Sequence, residues 1–119
     1  MEAKTVVAKS TVCQLYANRQ ASQGEMIRVR ATAWVALRHG GALLQDPDCP
    51  KVAIGFGFAD DAMTRPKVEK LDRAMTGDVM DLTPRIFEVQ VIGVFSAPTD
   101  SEPTGSFTVH DVEWFEQRK

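Results

Sequence analysis

The sequence has little of what defines a membrane protein, a disulfide-rich scaffold or a strongly basic nucleic-acid binder. No run approaches the roughly 18 consecutive apolar residues that a membrane-spanning helix needs. Only 2 of the 119 residues are cysteine, which is too few for a disulfide-rich scaffold. There is no basic excess, since 14 Lys and Arg against 16 Asp and Glu give a net charge of −2. With 44% hydrophobic residues, the chain is instead expected to form one globular domain over residues 1–119.

The chain also lacks the short motifs of the common enzyme classes. No GxSxG, HExxH, phosphate-binding loop or CxxC motif is present. The two histidines, His39 and His110, fall in a predicted turn and on a predicted strand surface, where a solvated side chain is the simpler interpretation. The loop aspartates show no EF-hand spacing, and turn and helix-capping roles explain most of them. We therefore expect no enzymatic activity, no cofactor and no metal site.

The sequence alone does not determine the chemical state of the two cysteines, Cys13 and Cys49. A structural zinc site needs four ligands at close spacing, and the two histidines are not placed to complete one. A disulfide and a pair of buried thiols both remain. A bridge closing this loop would stabilise the fold by roughly 3–4 kcal/mol in the chain-entropy model.

Hydrophobic periodicity predicts five strands and two helices. The alternation of apolar and polar residues predicts strands over 25–38, 42–45, 51–58, 85–96 and 107–116. A short leading helix is predicted over 11–18, with Thr11 as its N-cap, and a second over 66–76, beginning at Pro66 and ending at Gly77. In the last strand, strict alternation places Asp111 and Glu113 on the same face as Phe107, Val109 and Phe115.

This order of elements, β-β-β-α-β-β, resembles the oligonucleotide/oligosaccharide-binding (OB) fold, in which the helix lies between the third and fourth strands. The resemblance covers residues 25–117. It implies a mainly β protein, namely a five-stranded OB-like Greek-key barrel with a short N-terminal helix before it.

A second resemblance is local. The segments Thr11-Val-Cys-Gln-Leu-Tyr-Ala-Asn, Gly24-Glu-Met-Ile-Arg-Val-Arg-Ala and Cys49-Pro look like a group of small exported bacterial proteins with a Cys … Gly-x-x-Val-x-Val … Cys-Pro pattern. Ala31 stands where that pattern usually has Gly. The resemblance implies a Cys13–Cys49 disulfide and export to the periplasm, but no activity. The sequence does not open on a signal peptide, so export implies one that has been removed.

The candidate ligand-binding residues lie along and just after the first predicted strand. Arg28, Arg30 and Trp34 share its wetter face, and Arg38 and His39 follow at its end. Such an arrangement suits phosphate contacts and base stacking, which favours a single-stranded nucleic acid or an oligosaccharide. The alternative is that both arginines are solvated or paired with Glu88, while the tryptophan covers the outside of the barrel.

A nearly bare strand face is the other candidate surface. Ala53, Gly55 and Gly57 share one face of the third predicted strand, where another backbone can approach closely. The alternative is that one of the two helices covers this face. We expect a non-enzymatic, periplasmic binding module with a protein partner, acting as an inhibitor or immunity protein. Single-stranded nucleic-acid or oligosaccharide binding by the outer face of the barrel is the alternative.

Overall fold

A computed structural model of the protein describes residues 8–36, 41–77, 84–101, 103 and 105–118. Over these ranges the chain forms strands, α helices and one 3-10 helix. The strands are β1 (Ala8–Thr11), β2 (Met26–Ala36), β3 (Gly41–Gln45), β4 (Ala53–Phe58), β5 (Arg85–Ser96) and β6 (Ser106–Arg118). The helices are α1 (Val12–Ala17), α2 (Arg19–Ser22), the 3-10 helix Asp60–Thr64, and α3 (Pro66–Thr76).

Strands β2 to β6 close into a five-stranded barrel. β2 pairs antiparallel with both β3 and β5. β3 pairs antiparallel with β4, β4 pairs parallel with β6, and β6 pairs antiparallel with β5. Helix α3 falls between the third and fourth barrel strands and contacts β6. The mainly β, OB-like barrel predicted from the order of elements is confirmed.

The N-terminal region adds a strand that the sequence did not predict. β1 pairs parallel with the first half of β2, from Ala8 opposite Ile27 to Thr11 opposite Arg30. Four residues are too few to show a clear alternating pattern, so whether they form a strand depends on the partner strand with which they pair. Helix α1 follows directly and confirms the predicted leading helix. The Thr11 hydroxyl accepts from the backbone N–H of Gln14, and the Gln14 side chain accepts from that of Thr11, which forms a capping box.

The core consists of the inward-facing residues of the barrel together with the apolar faces of α1 and α3. Val12 and Leu15 of α1 are fully buried, and Val68 and Leu71 of α3 pack into the same cluster. None of the described helices is long and apolar enough to cross a membrane. The inward-facing barrel residues include Ile27, Val29, Ala31, Ala33, Val35, Leu44, Ile54, Phe87, Val89, Val91, Phe95, Phe107, Val109 and Val112.

The face predicted for Asp111 and Glu113 in the last strand is wrong, because β6 contains two bulges. The register against β5 shifts between Gln90 and Val91, and again between Ile92 and Gly93. Each shift leaves one extra residue on β6, so every side chain beyond it changes face. The inward residues of β6 are therefore Phe107, Val109, Val112 and Phe115.

The second bulge places the backbone of β6 very close to β5. A Cβ added at Gly93 would collide with the carbonyl oxygen of Thr108, so no residue with a side chain fits there without a backbone shift. The bulges turn Glu113 outward, toward the neighbouring side chains of β2 and β5.

Candidate binding face

The outer face of the barrel carries three of the predicted ligand-binding residues. Arg28, Arg30 and Trp34 all point away from the core of β2, as the alternation predicted. The Trp34 side chain is 39% exposed and that of Met26 is 44% exposed, so β2 carries two of the three exposed large hydrophobic residues in the described part of the chain. The other two predicted ligand-binding residues, Arg38 and His39, lie outside the described residues.

Arg28 is held by a carboxylate on the neighbouring part of the barrel. Its Nε lies 2.7 Å from Oε1 of Glu113, and its Nη2 lies 3.0 Å from Oε2, so the contact is bidentate. Gln90 donates a further hydrogen bond of 2.7 Å to Oε1 of Glu113. These hydrogen bonds, that from Arg28 first, lower the pKa of the Glu113 carboxyl, and the same pairing raises the pKa of Arg28. Two of the five N–H donors of Arg28, including that on Nε, are therefore engaged by Glu113.

Glu88, which the sequence offered as a partner for the arginines, binds other residues. The Thr32 hydroxyl, in the middle of the outer face, donates to Glu88 at 3.1 Å. The Nε of Arg118 lies 3.4 Å from Oε2 of Glu88. The partner of Arg28 is Glu113, which the bulged part of β6 turns toward it.

Arg30 is held by an aromatic ring instead of a carboxylate. Its guanidinium carbon lies 4.8 Å from the ring centroid of Trp114, which is within the range of a cation–π contact. Gln90 lies between the two residues in the sheet register, opposite Arg30 on one side and Trp114 on the other. Among the described residues, no hydrogen-bond or ion-pair acceptor engages the N–H groups of Arg30.

An apolar row crosses the outer face at the level of Trp34. The register places Trp34 opposite Ile86 of β5 and Leu43 of β3, and Leu43 opposite Gly55 of β4. Beyond this row, a Cβ added at Gly57 would have no neighbour within 4 Å. Of the two alternatives for the glycine face, the structure favours an open face at Gly57.

A loop tied down by a disulfide borders the apolar row. Cys13 of α1 is bonded to Cys49, as the resemblance implied, with 5.8 Å between the two Cα atoms. Asp46 and Pro47 of this loop form a shared wall of two shallow clefts. One cleft, of about 220 Å³, extends toward Arg30 and Glu88. The other, of about 200 Å³, extends toward Trp34, Gln45, Pro50 and Arg118.

Sequence reasoning missed several residues that shape this face. Glu113 and Trp114 hold the two arginines, but the predicted alternation gave no reason to place Glu113 outward. Asp46 and Pro47 lie between the second and third predicted strands, and only the fold brings that loop to β2. The one available signal was the Cys13–Cys49 pairing, which required the loop to lie near α1.

The outer face combines arginine, carboxylate, amide and indole side chains. Within the described ranges, no three His, Cys, Asp or Glu side chains are grouped as a metal site would need. Comparison with protein-family models, with curated proteins and with solved structures gives no match. The residues of the face themselves are therefore the basis on which we infer a function.

Proposed function

We propose that this protein is a non-enzymatic binding module of the bacterial cell envelope, and that its outer face binds a partner protein. The observation that carries the proposal is the 39% exposed Trp34 at the centre of an apolar row. Tryptophan and arginine are the residues that most often dominate the energy of protein–protein interfaces. Trp34 lies on the same face as Arg28 and Arg30, so both types are present together.

The shape of the face supports a protein partner over a small molecule. The row through Ile86, Trp34 and Leu43 runs across the outside of the sheet, and the clefts beside it, of about 200 and about 220 Å³, are shallow. Sites for small molecules are usually concave and larger, whereas protein interfaces are commonly flat. The open side of Gly57 lets a partner backbone approach β4 closely.

The disulfide supports an exported location. Bonds such as Cys13–Cys49 persist in oxidising compartments and are rare in the bacterial cytoplasm, where thiols are kept reduced. We therefore propose that the protein acts in the periplasm after removal of a signal peptide. An inhibitor or immunity protein that covers the working surface of another envelope protein is the role we favour for a module of this size.

The charges of the outer face argue against a single-stranded nucleic acid, the first part of the alternative. Arg28 is already bound by Glu113, and Arg118 lies beside Glu88. Asp46 adds a further carboxylate to the rim of both clefts. A polyanion gains affinity mainly by placing its phosphates on unpaired cations, and few are present here.

An oligosaccharide remains the second candidate, on one specific observation. The cleft beside Trp34 also contains Gln45 and Asp46, so an aromatic ring lies next to planar polar groups. Such a combination provides a stacking surface and hydrogen bonds for a sugar ring. The outer face, and Trp34 in particular, would serve either ligand.

Photo-crosslinking in the periplasm of the native host tests the protein-binding proposal. A photoreactive amino acid replaces either Gln45, beside Trp34, or Lys70, on the exposed side of α3. We expect a discrete protein adduct from position 45 alone, lost when Trp34→Ala is added. Adducts of equal yield at both positions, adducts that survive Trp34→Ala, or a carbohydrate adduct at position 45 would each contradict a protein partner.

A further inference from the structure

Two arginines on the same strand and face have different surroundings. Arg28 and Arg30 are two residues apart on β2 and both point outward. The guanidinium of Arg28 holds Glu113 through two hydrogen bonds, of 2.7 and 3.0 Å. That of Arg30 lies over the ring of Trp114, and no described residue accepts its hydrogen bonds. The two residues therefore differ in whether the edge of the guanidinium that carries Nε is already occupied by a carboxylate.

We propose that Arg30 binds a carboxylate, supplied by an Asp or Glu side chain of the partner protein. This inference rests on the proposed function and gives the chemistry of the partner's contact. The Trp114 ring attracts the charge of the guanidinium but offers no lone pair to its N–H groups, so those groups have no acceptor among the described residues. A carboxylate accepts two of them in parallel, in the geometry that Arg28 and Glu113 already show on this face.

The contact with Trp114 also restricts the conformations of the Arg30 side chain before any ligand binds. A free arginine side chain loses rotamer freedom when it binds, and this loss of entropy opposes binding. Contact with Trp114, at 4.8 Å from guanidinium carbon to ring centroid, restricts that freedom before the partner arrives. The unbound protein has therefore already lost part of the rotamer entropy that binding would otherwise remove.

The neighbouring acidic groups decide which anion is accepted. Arg30 lines the 220 Å³ cleft together with Asp46 and Glu88. Glu88 is engaged by Thr32 and Arg118. The side-chain carboxylate of Asp46, by contrast, accepts only the backbone N–H of Asp48, at 2.9 Å, among the hydrogen bonds of the described residues. A doubly charged phosphate would be repelled by Asp46. A single carboxylate on a polypeptide is repelled less, and backbone N–H groups beside it can donate to Asp46.

The spacing along β2 gives the partner a second requirement. Arg30 and Trp34 are four residues apart on one strand, which corresponds to about 13 Å at the rise of a β-strand. The partner should therefore present an acidic side chain and an apolar side chain at about that separation. Two residues four positions apart in an extended segment meet this requirement.

Titration with propionate, which carries the carboxylate of a Glu side chain, tests the inference without the partner. The Nε–Hε resonances of the arginines are followed by NMR at constant ionic strength, with chloride as the reference anion. We expect a saturable shift of Arg30 several-fold larger than that of Arg28. Equal shifts for the two arginines, or a larger response to inorganic phosphate than to propionate, would overturn the assignment.

Two variants make the result specific. Arg30→Lys keeps the charge but removes the planar pair of donors, and it should abolish the shift that propionate causes at this site. Arg28→Lys is the matched control on the same strand, and it should leave the Arg30 shift unchanged. If Arg30 responds to propionate but position 45 gives no protein adduct, the proposed function fails and the carboxylate site stands. A protein adduct without any propionate response overturns the site alone.

Discussion

The two ends of the outer face of β2 differ in how far other residues of the protein already bind their outward side chains. At one end, which we call the closed end, Arg28 donates hydrogen bonds to the carboxylate of Glu113, and the side-chain amide of Gln90 donates to the same carboxylate. At the other, which we call the open end, Trp34 is 39% exposed within the apolar row. Arg30 contacts the ring of Trp114 there and has no hydrogen-bond acceptor among the described residues. We therefore place the proposed binding contacts at the open end, where Trp34 is exposed.

The difference between the two ends originates on β6. The shift between Ile92 and Gly93 turns Glu113 outward to Arg28, and the shift between Gln90 and Val91 leaves Trp114 on the outer side as well, within reach of Arg30. With regular pairing, only one of these neighbours would point outward. The bulged strand thus assigns an acid to one arginine and an aromatic ring to the other.

The largest expected effect comes from removing the Cys13–Cys49 disulfide, which holds the loop that borders the open end. In the double variant Cys13→Ser, Cys49→Ser, the free energy of unfolding should fall by roughly 3–4 kcal/mol, because the unfolded chain loses its cross-link. Urea denaturation under non-reducing conditions measures this. Amide resonances of Trp34 and Asp46 should move while those of Arg28 and Glu113 stay in place. Shifts spread evenly over both ends would show that the disulfide does not serve the open end in particular.

The next prediction compares two glycines. Gly93→Ala places a Cβ against the backbone of Thr108 at the bulge and should cost about 1–3 kcal/mol of folding free energy. Gly57→Ala, on the open side of β4, has no neighbour within 4 Å and should change stability by no more than about 0.5 kcal/mol. Thermal or chemical denaturation of both variants checks this. Equal losses would contradict the open face at Gly57.

Glu113→Gln should weaken the closed end in a pH-dependent way. The pKa of Glu113 is lower in the folded protein than in the unfolded chain, so its stabilising contribution is present above the unfolded value, near pH 4.3. It is lost as pH falls through the lower folded pKa. We expect the variant to melt a few degrees below the wild type at pH 7, with the gap closing in acid.

Glu116→Gln, at a solvent-exposed position on the same strand, is the matched control and should melt like the wild type at both pH values. Glu113→Gln also releases Arg28, whose Nε–Hε resonance should then respond to propionate as that of Arg30 does. A melting-temperature gap that is constant from pH 7 into acid would mean that the Glu113 charge is not what stabilises this end.

The smallest expected effect is that of Arg30→Lys on stability. A surface cation–π contact contributes about 0.5–1 kcal/mol, and lysine keeps part of it, so the loss should stay below about 0.5 kcal/mol. Arg28→Lys should be more destabilising, because it breaks a bidentate pair. Urea denaturation of the two variants side by side decides the comparison. A larger loss for Arg30→Lys would reverse our view of which end is structural.

Much of the fold could be predicted from local sequence signals. Alternation along β2 puts Ile27 and Val29 on the core face, and alternation along β5 puts Phe87 and Val89 together on one face; all four are buried. Thr11 was predicted as the N-cap of the leading helix and caps it. These features depend on near neighbours in the chain, so a single sequence contains the information. The same signal failed over the end of β6, because a bulge depends on how two strands fit against each other.

Only part of the candidate site could be predicted. The outward direction of Arg28, Arg30 and Trp34 followed from the period of a strand. Their partners did not, since Glu113 lies far along the chain and its direction depends on the bulge register. The contribution of Asp46 to the clefts depends on the path of the loop that Cys49 ties to α1.

The sequence by itself determined the order of the barrel strands and of helices α1 and α3, the inward faces of most strands and the N-cap of α1, because each follows from local periodicity and short-range hydrogen bonding. The tertiary structure alone decided that β1 joins β2, that β6 is bulged, and that two arginines on one strand have different partners. These outcomes depend on contacts between residues far apart in the chain, where the geometry of the closed barrel determines which side chains meet.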